Sequence, residues 1–151
     1  WDANMDMLSP DSGLDLSDES WPIYARSVDA PPIYMGGDSH VSHSAINRGC
    51  DIEGTVENSV LSPRVTIEKG ARVSYSVILP GVTVEAGSVI EYAIIGEGCH
   101  IGRECRVGGT PDSAPGGKWD LTVLAPDCAL EDGREIAPGV MLDRYGKEVL
   151  K

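Results

Sequence analysis

Large aliphatic residues recur along the chain every five or six positions, in pieces too short for ordinary strands and with no hairpin signal between them. The stretch SVILPGVTVEAGSVIEYAII, residues 76–95, shows the rhythm. Sliding the sequence on itself by 17 residues aligns GTVENSVLSPRVTIEKG (54–70), ARVSYSVILPGVTVEAG (71–87) and SVIEYAIIGEGCHIGRE (88–104). SHVSHSAINRGCDIE (39–53) fits in front, with two residues missing at its end. One column of this alignment holds Val41, Val56, Val73, Ile90 and Val107. A second holds Ile46, Leu61, Ile78 and Ile95, and a third Ile52, Ile67, Val84 and Ile101. Two positions before each stands a smaller residue. The first series is Ser39, Gly54, Ala71, Ser88 and Cys105; the second is Ser44, Ser59, Ser76 and Ala93; the third is Cys50, Val65, Val82 and Cys99.

Alternation with period two puts both members of a pair on one face of a short strand. Three such faces per 17 residues make a triangular coil. Stacked coils bury each column against the next, giving a core that no single coil can hold. The pattern therefore predicts an all-β fold, a parallel β-helix of about five coils. It pauses after Val107 and restarts in TVLAPDCALEDG (122–133), which overlays SVILPGVTVEAG (76–87) with Cys128 on Val82 and Leu130 on Val84. The intervening GGTPDSAPGGKW (108–119) reads as a Gly/Pro-rich excursion from the fifth coil. REIAPGVML opens a partial sixth coil, with Ile136 and Met141 expected in the aliphatic columns.

Nothing before Ser39 follows the repeat. WDANMDML reads as the end of a helix stopped at Ser9-Pro10. DSGLDLSDES is acidic, and WPIYARSVDAPPIYM is an extended segment held open by Pro22, Pro31 and Pro32. Its large apolar residues, Trp21, Ile23, Tyr24, Ile33 and Tyr34, are expected to dock on the open end of the β-helix or on a neighbouring domain. The expected organisation is a helix end and extended interdomain segment (1–38), β-helix coils (39–107), an inserted loop (108–120), final coils (121–142) and a C-terminal tail (143–151). From its start in mid-helix the chain is expected to be the rear part of something longer.

Composition narrows the choices. With 18 Gly, 10 Pro and no Phe, the core must come from Val, Ile, Leu and Ala. A net charge of −12 argues against a nucleic-acid partner, which needs a basic face; a solvated acidic surface favours solubility. No apolar run approaches the roughly 20 residues of a membrane span, and no basic-then-apolar leader opens the chain. A soluble, cytoplasmic protein with no membrane partner is expected. The four cysteines match no zinc spacing. Their columns point them inward as small hydrophobes, and no metal site is expected. Cys99 and Cys128 fall on adjacent coils, near enough for a disulfide, although a reducing compartment favours thiols.

Candidate chemistry is sparse. His40, His43 and His100 take outward positions. A general base needs a group that orients it and a pocket for its substrate, and the sequence identifies neither. VGGTPDSAPGGK is Gly-rich but leads into the strand pattern WDLTVL, not into the helix of a phosphate-binding loop. Arg64 stands in a turn column otherwise held by Gly49, Gly81 and Gly98, from which it can reach a partner. Tyr75 and Tyr92 share an outward column with Asn58 and His43, as an interface patch or as a cross-strand ladder. Trp119 is placed to anchor the insertion to the flank. No catalytic residue is assigned.

WDANMDML, WPIYARSVDAPPIY and AINRGCDIEGTVENSVLSPRVTIEKGARVSYSVILPGVTVEAGSVIEYAIIGEG together resemble the C-terminal part of bacterial glucose-1-phosphate adenylyltransferase (ADP-glucose pyrophosphorylase). The likeness runs from residue 1 to about residue 107, and GCxIxGxVxxSVL and SVIxPG are its specific runs. It implies a left-handed β-helix of the hexapeptide-repeat type. It also implies a parent enzyme of glycogen biosynthesis that uses ATP, glucose 1-phosphate and Mg²⁺ in an N-terminal nucleotidyltransferase domain. This domain would pack on that one, join a homo- or hetero-oligomer (a tetramer in the parent), and help bind an anionic metabolite effector. Arg144 and Lys147, in MLDRYGKEVLK, resemble the family's basic tail and are the effector-binding candidates. The nucleotidyltransferase motifs are absent from the sequence, so the chain alone is expected to be catalytically inactive, with no cofactor of its own. The alternatives are a hexapeptide-repeat acyltransferase using acyl-CoA, a non-catalytic regulatory paralogue of the pyrophosphorylase, and the same domain serving a nucleotidyltransferase for another sugar.

Overall fold

Each strand lasts only two or three residues before the coil turns a corner, so three sheets form side by side as the chain winds. The computed structural model describes residues 1–9, 11, 13, 20, 29–110 and 120–149. Each sheet is parallel and six-stranded. The first contains β1 (Tyr34–Met35), β4 (Asp51–Ile52), β7 (Thr66–Ile67), β10 (Thr83–Val84), β13 (His100–Ile101) and β16 (Ala129–Leu130). The second contains β2 (His40–Ser42), β5 (Thr55–Glu57), β8 (Arg72–Ser74), β11 (Val89–Glu91), β14 (Arg106–Gly108) and β17 (Glu135–Ile136). The third contains β3 (Ala45–Ile46), β6 (Val60–Leu61), β9 (Val77–Ile78), β12 (Ala93–Ile95), β15 (Thr122–Leu124) and β18 (Met141–Leu142). The fold is a parallel β-helix.

The repeat columns are the core. Val41, Val56, Val73, Ile90, Val107 and Ile136 pair in register down the second sheet. Ile46, Leu61, Ile78, Ile95 and Leu124 do so down the third. Ile52, Ile67, Val84, Ile101 and Leu130 do so down the first. All are buried except Val41 and Ile46 in the first coil, which have a neighbour on one side only and are partly buried. Burying a Val, Leu or Ile side chain contributes about 1.5–3 kcal/mol, so these rows hold the coils together.

The polar small residues serve the backbone at the corners. Ser44, Ser59 and Ser76 form a ladder in which each hydroxyl accepts a hydrogen bond from the next coil: Ser59 N to Ser44 Oγ, Ser76 N to Ser59 Oγ and Ala93 N to Ser76 Oγ, each 3.1 Å. Ser59 Oγ also donates to Glu57 O and Ser76 Oγ to Ser74 O. Among the described residues no buried side-chain nitrogen or oxygen lacks a partner. All four cysteines are buried free thiols, and Cys50, Cys99 and Cys105 donate to the carbonyls of Ser62, Ala125 and Glu131.

Two boundaries differ from the sequence pattern. The solenoid begins at Tyr34 rather than Ser39: Tyr34 pairs with Asp51 and Met35 with Ile52. Its first strand covers the end of a sheet, so Tyr34 and Met35 remain 58% and 49% exposed and leave no buried column for periodicity to register. At the other end, Leu142 and not Met141 pairs with Leu124 and is buried, while Met141 pairs with Val123 and faces outward. The coil takes one more residue between Ile136 and its last strand than the repeat implies, and that shift exchanges inward for outward.

The tail is folded. Leu142 forms an antiparallel bridge with Glu148, and Val149 N donates to Met141 O at 2.8 Å. Asp143 Oδ1 accepts from Tyr145 N and Lys147 N, closing the turn. Helix α1 spans Asp2–Asp6. Pro10, Trp21, Ile23, Tyr24 and Trp119, with the docking and anchoring expected of the last four, lie outside the described residues.

Candidate docking face

The outward positions distinguish the three sheets. On the first they are Tyr34, Asp51, Thr66, Thr83, His100 and Ala129. On the second, polar and charged residues predominate, among them His40, Glu57, Arg72 and Arg106. On the third, every outward residue is apolar: Ala45, Val60, Val77, Ile94, Val123 and Met141, paired in register over all six strands. Val77, near the middle, is 5% exposed, and the others are half-buried. A soluble β-helix can use its interior for apolar side chains and its exterior for polar ones. A continuous outer apolar row departs from that division and makes this sheet the candidate docking face.

This row is legible in the sequence. The third column is entered by two adjacent apolar residues in each coil (AI, VL, VI, II, VL, ML), whereas four of the six pairs on the first sheet (YM, DI, TI, TV, HI, AL) open on a polar residue. A doubled pair means a strand apolar on both faces, as in sheets covered on both sides.

One edge of the face is the corner formed by His43, Asn58, Tyr75 and Tyr92, all with left-handed backbones of φ 47–49°. Tyr75 and Tyr92 stack with centroids 4.7 Å apart and planes 6° from parallel. Trp1 lies 6.0 Å from Tyr92, tilted by 31°, and its Nε1 donates to Tyr75 O at 2.8 Å. The indole thus fixes α1 to this corner. Trp1, Met5, Leu8 and Ser9, with His43, Asn58 and Tyr75, line an open cleft of about 270 Å³. At the opposite edge, Arg64 holds φ 61° among the corner glycines, and its Nη2 donates to Asp29 O at 2.6 Å. Its partner is thus the segment entering the first coil.

The remaining candidates disperse. Arg144 approaches Asp127 at 3.7 Å, and Lys147 contributes its backbone N–H to the Asp143 turn; both side chains are exposed at the C-terminal end. Arg134 Nη2 joins this end by donating to Gly146 O at 3.4 Å. Of the histidines, His100 has the closest carboxylate: its Nε2 lies 3.0 Å from Glu85 Oε1, while Arg103 Nε approaches Glu85 Oε2 at 3.5 Å. His40 stands 3.9 Å from Glu57, which Arg72 also approaches. Burial raises the thiols of Cys50, Cys105 and Cys128, and pushes Cys99 up to about 11, values that disfavour a nucleophilic thiolate. Among the described residues no three His, Cys, Asp or Glu gather as a metal site, and no helix is long and apolar enough to cross a membrane.

Comparison with known proteins is consistent with this architecture. Residues 34–122, more than half the chain, match the family model described as GlmU-like, C-terminal hexapeptide. The match begins at the first residue of β1. A glucose-1-phosphate adenylyltransferase from Geobacillus stearothermophilus is 51% identical over 73 residues, 48% of this chain and 19% of the relative. One from Bacillus mycoides (strain KBAB4) is 45% identical over the same length. The chain spans about a fifth of the length of these relatives. Among solved structures, the acetyltransferase domain of PglB from Neisseria gonorrhoeae FA1090, in complex with acetyl coenzyme A, superposes with a TM-score of 0.59 at 19% identity, over 80% of this chain and 58% of that one. A variant of perosamine N-acetyltransferase from Caulobacter crescentus does so with a TM-score of 0.57 at 13% identity, over 81% and 58%. At such identities the likeness is one of fold.

Proposed function

The chain belongs to the GlmU-like, C-terminal hexapeptide family, and from that premise we propose that it is the β-helix domain of a glucose-1-phosphate adenylyltransferase, docking on a nucleotidyltransferase domain through the outer face of its third sheet. The observation that carries this reading is the apolar row Ala45, Val60, Val77, Ile94, Val123 and Met141. Packing a second body on such a row removes apolar surface from water at about 25 cal/mol per Å². The relatives are named glucose-1-phosphate adenylyltransferase; a parent of that kind would convert ATP and glucose 1-phosphate to ADP-glucose and pyrophosphate, with Mg²⁺ and ATP held by its catalytic domain. Alone, the chain is inactive, and its role is support, assembly into an oligomer, and regulation. The cations at its C-terminal end, Arg144 and Lys147, are where an anionic metabolite would be recognised. A parent with these substrates would work in the cytoplasm.

Acyl transfer is the second reading, favoured by the His100–Glu85 pair, in which a carboxylate orients an imidazole as it would a general base. Arg103 shares that carboxylate and the pair stands on a sheet's outer face, so the docking reading is preferred.

The test replaces the corresponding part of the Geobacillus stearothermophilus relative with this chain and assays ADP-glucose formation from ATP, glucose 1-phosphate and Mg²⁺. The chimera is expected to be active and the isolated chain inactive. A folded but inactive chimera, or activity in the isolated chain, would overturn the reading. Acetyl transfer from acetyl coenzyme A that is lost in His100→Asn would favour the second reading instead.

A further inference from the structure

We propose that the cleft between α1 and the His43–Tyr92 corner binds a planar, uncharged heteroaromatic of the purine-nucleoside type. The physical basis is the corner column. His43, Asn58, Tyr75 and Tyr92 share one left-handed backbone conformation. The residues just before the last three, Glu57, Ser74 and Glu91, are paired in register, and Ser42 pairs with Glu57. Successive side chains therefore leave the solenoid one sheet spacing apart, about 4.8 Å. Flat rings at that spacing stack, as Tyr75 and Tyr92 do. The next position is Asn58, whose short amide ends before the place where a ring would lie. The aromatic ladder thus lacks a rung.

The missing rung is the cleft. Tyr75 has Tyr92 against one ring face and is still 39% exposed. Trp1, Met5 and Leu8 of the N-terminal segment wall the space, and His43 lines it with Asn58. The Tyr75 and His43 rungs are two sheet spacings apart, about 9.5 Å, which leaves room for one flat ring system between them. Apolar walls with a few convergent polar groups are the common make-up of a small-molecule site. The Asn58 amide offers a donor beside an acceptor, the complement of the amino and ring-nitrogen edge of adenine. A chain of net charge −12 disfavours a multiply charged phosphate ester, which points to a nucleoside or base. The inference rests on this cleft and not on the docking reading.

The experiment uses the whole chain carrying Trp21→Phe and Trp119→Phe, which leaves Trp1 as the sole indole of the three tryptophans. Adenosine is titrated against Trp1 fluorescence, with saturation-transfer NMR on the purine protons and ribose as the control. Expected is a saturable response to adenosine and none to ribose. Asn58→Tyr supplies the missing rung on a backbone that Tyr75 and Tyr92 already adopt. It should weaken adenosine binding at least tenfold without lowering Tm. Leu8→Phe enlarges the other wall while keeping Trp1 the sole indole, and should do the same. A response equal for adenosine and ribose, no saturable response, or affinity unchanged in both variants would overturn the proposal.

Discussion

At Ser76 a single hydroxyl donates to Ser74 O at 2.8 Å and accepts from Ala93 N at 3.1 Å. Ser76→Ala leaves a buried backbone N–H without an acceptor, and about 1–3 kcal/mol of stability should be lost, measurable by urea unfolding. Gly54 is demanded by space: an added Cβ would press into Ala71 O and stand 2.8 Å from Glu68 O, both backbone atoms. Gly54→Ala should therefore cost about 1–3 kcal/mol and lower Tm. The alignment put both residues in their small columns because the size constraint repeats in every coil. It placed Arg64 in a turn column from which it can reach a partner without saying which, and it was silent on Trp1; the contacts with Asp29 and Tyr75 join residues far apart in sequence and carry no period.

Single elements here are too short to be stable, and each depends on its neighbours in the adjacent coils. The inward columns were legible because every coil repeats them. β1 was not, since an end strand is paired on one side only and shows no burial pattern. Met141 and Leu142 exchanged roles because the last coil departs from the spacing of the others. Column packing also sets the behaviour of the thiols. Burial raises Cys99 to about 11 from an ordinary value of 9.0, and raises Cys50, Cys105 and Cys128 in the same direction. As pH rises, the unfolded chain gives up these protons before the folded one does. The stabilising difference is fully present below about pH 9 and is lost as pH climbs toward 11. The urea midpoint should accordingly fall between pH 8 and pH 10, and Cys99→Ala, while lowering stability at pH 8, should flatten that fall. A midpoint that rises over this range would contradict the burial of the thiols.

The whole molecule is a prism with one apolar side. Its other outer faces carry the hydrogen-bonding and charged residues that suit water, and the third sheet carries none in its central outward row. The prism and its core follow from the repeat; the special side is written in the same columns, as the doubled apolar pairs AI, VL, VI, II, VL and ML, and shows only when the outward positions of the three sheets are compared. The most direct measurement places two charges on that side, Ile94→Glu with Val123→Glu, in the chimera with the Geobacillus stearothermophilus relative. Thr66→Glu with Thr83→Glu on the first sheet is the matched control. Circular dichroism of the isolated chain verifies that each pair folds, and cleavage of the chimera between its two parts, followed by gel filtration, reads their association. Expected is separation of the two parts in the third-sheet variant alone, at least a tenfold weakening of their association, with the control remaining joined. Association equally strong in both variants would contradict the docking face.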